Sequence, residues 1–107
     1  MTIELLYFDG CPNHEVVLAH LHELLNKVEF TPDVVLRRIA DDAAAQRERF
    51  LGSPTVRVDG RDIEPGADDR DDYGMKCRLY ATSKGLAGVP EDEWLLRALE
   101  PRGGSRR

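Results

Sequence analysis

The chain has 107 residues, of which 41% are hydrophobic and 33% are charged. This length supplies one hydrophobic core rather than two, and the composition is that of a globular domain. The formal net charge of −5 disfavours nucleic acid as a partner, because nucleic-acid binding requires a basic face. We therefore predict one domain over residues 1–100, followed by a disordered tail over residues 101–107.

The two cysteines favour thiol chemistry over a structural disulfide. The apolar runs are too short to span a bilayer, and the first residues lack the basic and apolar segments of a signal peptide. We therefore expect a cytoplasmic protein with no membrane partner. In a reducing cytoplasm, cysteines are more often reactive or metal-binding than joined in a structural disulfide.

The first half of the chain alternates strand and helix patterns. The apolar run over residues 2–8 predicts a central strand that is covered on both faces. Apolar residues then recur at helical spacing over residues 17–28. A second strand is predicted over residues 34–39, and a short Ala-rich helix over residues 42–50.

The second half of the chain is predicted to contain shorter strands. Residues 55–58 predict a third strand, and the Asp-Gly pair at positions 59–60 favours a hairpin turn into residues 61–63. Residues 76–80 fit either a fourth strand or a turn that flanks it. The last helix begins near Pro90, with acidic residues in the first turn where the helix dipole favours them.

The resulting order is strand, helix, strand, helix, strand, strand, helix. Helices between the first three strands imply parallel pairing, and the turn at 59–60 adds an antiparallel edge. This is the order of the thioredoxin core. We therefore predict a thioredoxin-like α/β domain with a mixed four-stranded sheet and helices on both faces.

Cys11 is the main candidate for a reactive residue, because a strand delivers it to the start of a helix. Pro12 fits the first helical position with Cys11 as the cap, where the dipole favours a thiolate. This predicts an exposed position; the alternative is a buried cysteine that acts as a small hydrophobe. His14, three residues on, either stabilises the thiolate or is an exposed histidine without a role. Since position 14 is not cysteine, a C-x-x-C disulfide is impossible.

Pro54 and Cys77 complete the set of candidates. Pro54 falls where thioredoxin-like proteins carry a cis proline beside the reactive cysteine, the alternative being a trans proline at a strand start. Cys77 is either a buried inert thiol or the partner that forms a disulfide with Cys11 on oxidation. A disulfide requires the two Cα atoms to lie within about 7 Å of each other.

Three stretches together resemble a known group: YFDGCPN (residues 7–13), GSPTV (52–56) and CRLY (77–80). The group comprises short thioredoxin-like proteins known as the DF family of (seleno)proteins, and some relatives are described as alkylmercury-lyase-like. The resemblance covers residues 2–99. Selenocysteine in the family implies redox chemistry, with Cys11 at the equivalent position. Organomercurial lyase chemistry implies two cysteines and an aspartate, for which Cys11, Cys77 and Asp9 are the matching types.

These features predict a thiol redox protein, with a thiol oxidoreductase as one form of it. Cys11 would attack a disulfide or peroxide, Pro54 would shape the substrate groove, and His14 would tune the thiolate. Cys77, glutathione or the thiol of a reductase would resolve the intermediate, and neither a cofactor nor a resident metal is expected.

Two other function classes fit the same residues. The first is a protein that handles soft metals or organomercurials with Cys11 and Cys77 as paired ligands. The second is a redox-inactive thioredoxin-like binding module, which the absence of a second cysteine at position 14 favours.

Overall fold

The fold, in a computed structural model that describes residues 1–27 and 32–99, contains a sheet, a separate hairpin and three helices. The elements in chain order are β1 (Thr2–Tyr7), α1 (Asn13–Leu25), β2 (Asp33–Arg38), α2 (Asp42–Arg47), β3 (Thr55–Val58), β4 (Arg61–Asp62), a 3-10 turn (Ala67–Asp69), β5 (Tyr80–Thr82), β6 (Gly85–Ala87) and α3 (Asp92–Ala98). The end of the helical pattern at residue 28 and the tail over 101–107 lie outside the described residues.

The main sheet has the strand order β2-β1-β3-β4. β1 pairs in parallel with β2, whereas β3 runs antiparallel to both β1 and β4. The mixed four-stranded sheet is confirmed, but the parallel pairing expected for the third strand is wrong. The six residues of α2 span about 9 Å, which is less than the roughly 20 Å of β1. The chain therefore does not return across the sheet, and β3 starts beside the end of β1, where Leu6 pairs with Thr55.

The fourth strand is Arg61–Asp62, so the alternative that placed it at residues 76–80 is wrong. Cys77 forms only an isolated parallel bridge with Ser53, and Tyr80 begins the separate hairpin of β5 and β6. The second strand of this hairpin is Gly85–Ala87, an element that the order predicted from the sequence did not contain. Because Cys77 contributes only one bridge, the residues around it need not alternate between apolar and polar types, which is the pattern that identifies a strand in sequence.

Helices cover both faces of the sheet. Val17, Leu21 and Leu24 recur on one side of α1, because residues three and four apart share a helix face. They pack with Leu95 and Leu99 over one face of the sheet, in a core that also contains Ile3 and Leu5 of β1, Val56 and Val58 of β3, and Ile63, which follows β4. A second core packs α2 against the opposite face and contains Leu6, Ile39, Ala44, Ala45 and Phe50. Among the described residues, no helix combines the length and the apolar character needed to cross a bilayer.

Candidate functional site

Cys11 lies in the turn between β1 and α1, and its side chain is fully buried. Its backbone N–H donates to the carbonyl of Phe8 at 3.3 Å, which closes the turn. Pro12 has helical dihedral angles and occupies the cap position, so α1 begins at Asn13, one residue later than predicted. The exposed position predicted for Cys11 is wrong, because the backbone of Ser53 lies against its thiol.

The backbone of Ser53 joins the two cysteine segments. The Cys11 thiol donates to the Ser53 carbonyl over an Sγ–O distance of 3.4 Å. The same carbonyl accepts the N–H of Arg78 at 2.8 Å, and the N–H of Ser53 donates to the carbonyl of Lys76 at 2.8 Å. Cys77 stands between these two bonds. One peptide segment therefore holds Cys11 on one side and the residues flanking Cys77 on the other.

Cys77 is exposed, so the expectation of a buried inert thiol is wrong for this residue. The pKa of its thiol is raised, first by the neighbouring Cys11 side chain and then by desolvation. Both thiols are free in this structure. The fold thus brings together two cysteines that are far apart in sequence, one buried and one facing solvent.

The Ser53–Pro54 peptide bond is cis, which confirms the prediction made for this proline. The Pro54 side chain is fully buried at the start of β3, and its carbonyl accepts a hydrogen bond from the hydroxyl of Tyr80. Pro54 therefore follows directly on the residue that touches the Cys11 thiol. Its ring is part of the protein interior rather than of an open groove.

His14 lies beside the backbone of Cys11. Its Nδ1 is 2.7 Å from the Cys11 carbonyl, and its ring stacks on Tyr7 with the centroids 4.2 Å apart. A carbonyl only accepts hydrogen bonds, so Nδ1 carries a proton in this contact. The ring fixes the turn that carries Cys11, and this hydrogen bond goes to the backbone rather than to the thiol.

Asp9 does not join the two cysteines. Its carboxylate accepts a hydrogen bond from Arg38 Nε at 2.8 Å, and both side chains are exposed. Of the three residue types that the lyase resemblance implies, the fold therefore brings Cys11 and Cys77 together and pairs Asp9 elsewhere. In the described part of the chain, no three side chains of the types His, Cys, Asp and Glu gather closely enough to hold a metal ion.

Arg78, the residue after Cys77, is the centre of a buried ion-pair cluster that the sequence did not reveal. Its guanidinium is fully buried and contacts both carboxylate oxygens of Asp62 at 2.7 and 3.0 Å. It also donates to Glu64 at 2.8 Å and to the hydroxyl of Thr55 at 2.9 Å. The guanidinium carbon lies 4.4 Å from the centre of the Tyr80 ring. These contacts fix Cys77 from its C-terminal side.

A second, exposed series of ion pairs fixes Cys77 from its N-terminal side. Glu64 also contacts Arg70 at 3.3 Å, and Arg70 forms a bidentate pair with Asp72 at 2.7 and 3.0 Å. Asp72 in turn accepts from Lys76 at 2.8 Å. The pKa of Asp72 is held well below its ordinary range, first by Arg70 and then by Lys76. This series of ion pairs therefore ties the loop that contains Asp72 to the segment that precedes Cys77.

Gly52 allows the Cys77 segment to approach the start of β3. A Cβ atom at this position would lie 2.9 Å from the Lys76 carbonyl oxygen and 3.0 Å from the Arg78 Cβ. Its φ of +124° is also one that side chains rarely permit. The only sequence signal for this role was the position of Gly52 directly before Ser53-Pro54.

Comparisons with known protein families, with curated proteins and with solved structures find no match to this chain.

Proposed function

We propose that this chain is a thioredoxin-like thiol redox protein whose working pair is Cys11 and Cys77. The observation that carries the proposal is that the Ser53 backbone contacts the Cys11 thiol and forms a bridge with Cys77, so the two cysteines meet at one peptide segment. Cys77 takes the place of the second cysteine that the chain lacks at position 14.

The chemistry is a reversible exchange of two electrons. The dithiol form reduces a disulfide substrate to two thiols, and Cys11 and Cys77 become joined by a disulfide. Glutathione or a reductase then supplies two electrons and two protons to restore the dithiol. A reducing cytoplasm, the location we propose, keeps the resting protein in the dithiol form seen here. In this scheme His14 supports the turn that carries Cys11, and Pro54 sets the backbone against which the pair is formed.

Mild oxidation with hydrogen peroxide tests the proposal. The intact protein should lose two hydrogen atoms by mass, because the peroxide is reduced to water as the disulfide forms. After trypsin digestion, the disulfide should link residues 1–27 to the dipeptide 77–78, since Lys27, Lys76 and Arg78 are the cleavage sites around the two cysteines. The variants Cys11→Ser and Cys77→Ser should both abolish this cross-linked product. Addition of oxygen to either cysteine without the internal disulfide would contradict the proposal.

The convergence of two thiols also favours a second function, the transfer of soft thiophilic metal ions as cargo. Thiolates select such ions, and ions that accept two ligands need only Cys11 and Cys77. Titration with mercuric ion should then show tight binding that Cys77→Ser weakens strongly. Equal binding by this variant would remove the metal function, and a protein that fails both tests would be the redox-inactive binding module.

A further inference from the structure

We infer that Cys77 makes the first attack on a disulfide substrate and that Cys11 resolves the resulting intermediate. This inference rests on the proposed redox function and reverses the order expected from sequence. It assigns the substrate-contacting role to a residue outside the helix turn.

Access decides which sulfur reacts first. Thiol–disulfide exchange requires the attacking sulfur to touch a sulfur of the substrate. The Cys11 side chain has 0% exposure, because Ser53 lies against its thiol, whereas Cys77 is exposed. A disulfide that approaches from solvent therefore meets the sulfur of Cys77 and not that of Cys11.

The alternative order requires the site to open before the chemistry begins. Exposure of Cys11 would separate it from Ser53, whose backbone is held by the hydrogen bonds to Lys76 and Arg78. Each such bond reduces the open population by about two- to tenfold. The buried contacts of Arg78 with Asp62 and Glu64 would oppose the same movement. The closed form seen here thus disfavours direct attack by Cys11.

The raised pKa of the Cys77 thiol acts against the first step but does not reverse the order. A higher pKa lowers the fraction of thiolate tenfold for each unit. It also makes the remaining thiolate more nucleophilic, which recovers about half of that loss on a logarithmic scale. The attack by Cys77 is therefore slower near neutral pH, but Cys77 remains the sulfur that solvent can reach.

The two steps balance as follows. The Cys77 thiolate attacks one sulfur of the substrate, the substrate S–S bond breaks, and the first thiol leaves with the proton that Cys77 gave up. The Cys11 thiolate then attacks the sulfur of Cys77, whose bond to the substrate breaks. The second thiol leaves with the proton from Cys11. Two electrons have passed from the two cysteines to the substrate, and the protein holds a Cys11–Cys77 disulfide.

Glutathione disulfide is the probe that separates the two orders. Cys11→Ser keeps the exposed sulfur and lacks the resolving one, so it should accumulate a stable mixed disulfide with glutathione at Cys77. Cys77→Ser keeps only the buried sulfur and should form its mixed disulfide at least about tenfold more slowly. Mass spectrometry of samples quenched with acid gives both rates. Cys11→Ala replaces Cys11→Ser if a hydroxyl in this buried position prevents folding.

The same rates measured in urea provide the control. In the unfolded chains both thiols are exposed, so the difference between the variants should disappear. Faster trapping of glutathione by folded Cys77→Ser than by folded Cys11→Ser would overturn the inference. That result would leave the proposed function intact, provided the wild type still forms its internal disulfide. A wild type that forms no internal disulfide would instead overturn the proposed function and this inference with it.

Discussion

The two cysteines of the site are held in place by different forces. Cys11 sits in a turn between β1 and α1, and both of these elements belong to the apolar core that contains Leu5 and Val17. Cys77 sits in an irregular segment held by backbone bonds to Ser53 and by ion pairs on both of its neighbours. The position of one sulfur therefore depends on packing, and that of the other depends on charge.

Because of this difference, the distance between the thiols should be easier to change at one cysteine than at the other. Apolar packing is insensitive to the ionisation of side chains, whereas a buried ion pair fails when one partner is removed. The Cys77 segment also lacks the regular ladder that supports β1. Substitutions that alter charge or close contact at the Cys77 segment should therefore disturb the pair more than changes at the surface of α1.

Arg78→Met should cause the largest loss in the free energy of unfolding. The substitution leaves the carboxylates of Asp62 and Glu64 without the buried guanidinium, and removal of one partner of such a pair costs about 3–5 kcal/mol. Urea unfolding measures the loss in the free energy of unfolding. The matched control is Arg97→Met, which removes an exposed pair with Glu93 and should cost about 0.5 kcal/mol or less. Equal losses in the two variants would refute a structural role for the buried cluster.

Gly52→Ala should have the next largest effect. The added methyl group would press on Lys76 and Arg78, and the backbone there has a positive φ, so we expect a loss of about 1–3 kcal/mol. The Cys77 segment should move away from Ser53, and peroxide should form the internal disulfide more slowly. Gly60→Ala is the control, because its φ of +87° is also positive but its Cβ would meet nothing within 4 Å. If the two variants form the disulfide at the same rate, close approach at Gly52 does not position Cys77.

The smallest effect should be the pH dependence of stability that arises from an ion pair on α1, the helix that follows Cys11. His20 of α1 pairs with Asp92 of α3, and its pKa is raised above 6.5, chiefly by the hydrogen bond that its ring donates to Asp92. A raised pKa stabilises the fold below pH 6.5, and this contribution is lost as pH rises through the folded pKa. Both side chains are about half exposed, so the contribution should be about 0.5 kcal/mol.

Thermal unfolding from about pH 5 to about pH 8 checks this expectation. The wild type should lose slightly more stability over this range than His20→Asn, which cannot gain the charge. A loss of stability over this pH range as large as that caused by Arg78→Met would mean that the packing of α1 against α3 depends on charge. Apolar packing alone would then not hold the position of Cys11.

The sequence predicted those parts of the fold that follow a regular pattern. The alternation in β1, the helical spacing that begins at Val17 and the strand after Pro32 all appear in the structure as expected. These features are local, because each depends on residues that are neighbours in the chain. The cis form of Pro54 was predicted in a different way, from the position of the cis proline in thioredoxin-like proteins.

The remaining features depend on contacts between distant residues. The burial of Cys11 results from Ser53, which lies 42 positions further along the chain. The direction of β3 depends on how far α2 carries the chain, which residue patterns do not encode. Arg78 gave no signal as a buried residue, since arginine is mostly exposed and its partners Asp62 and Glu64 lie 16 and 14 positions earlier in the chain.

The carbonyl of Ser53 accepts two donors in the structure, the S–H of Cys11 and the N–H of Arg78. In the oxidised form that we propose, the sulfur of Cys11 has no hydrogen left to donate, so this oxygen keeps its backbone donor alone. The loss changes the polarisation of the peptide group that enters β3. Oxidation of the two side chains would then shift the infrared band and the carbon-13 resonance of the Ser53 carbonyl in the main chain.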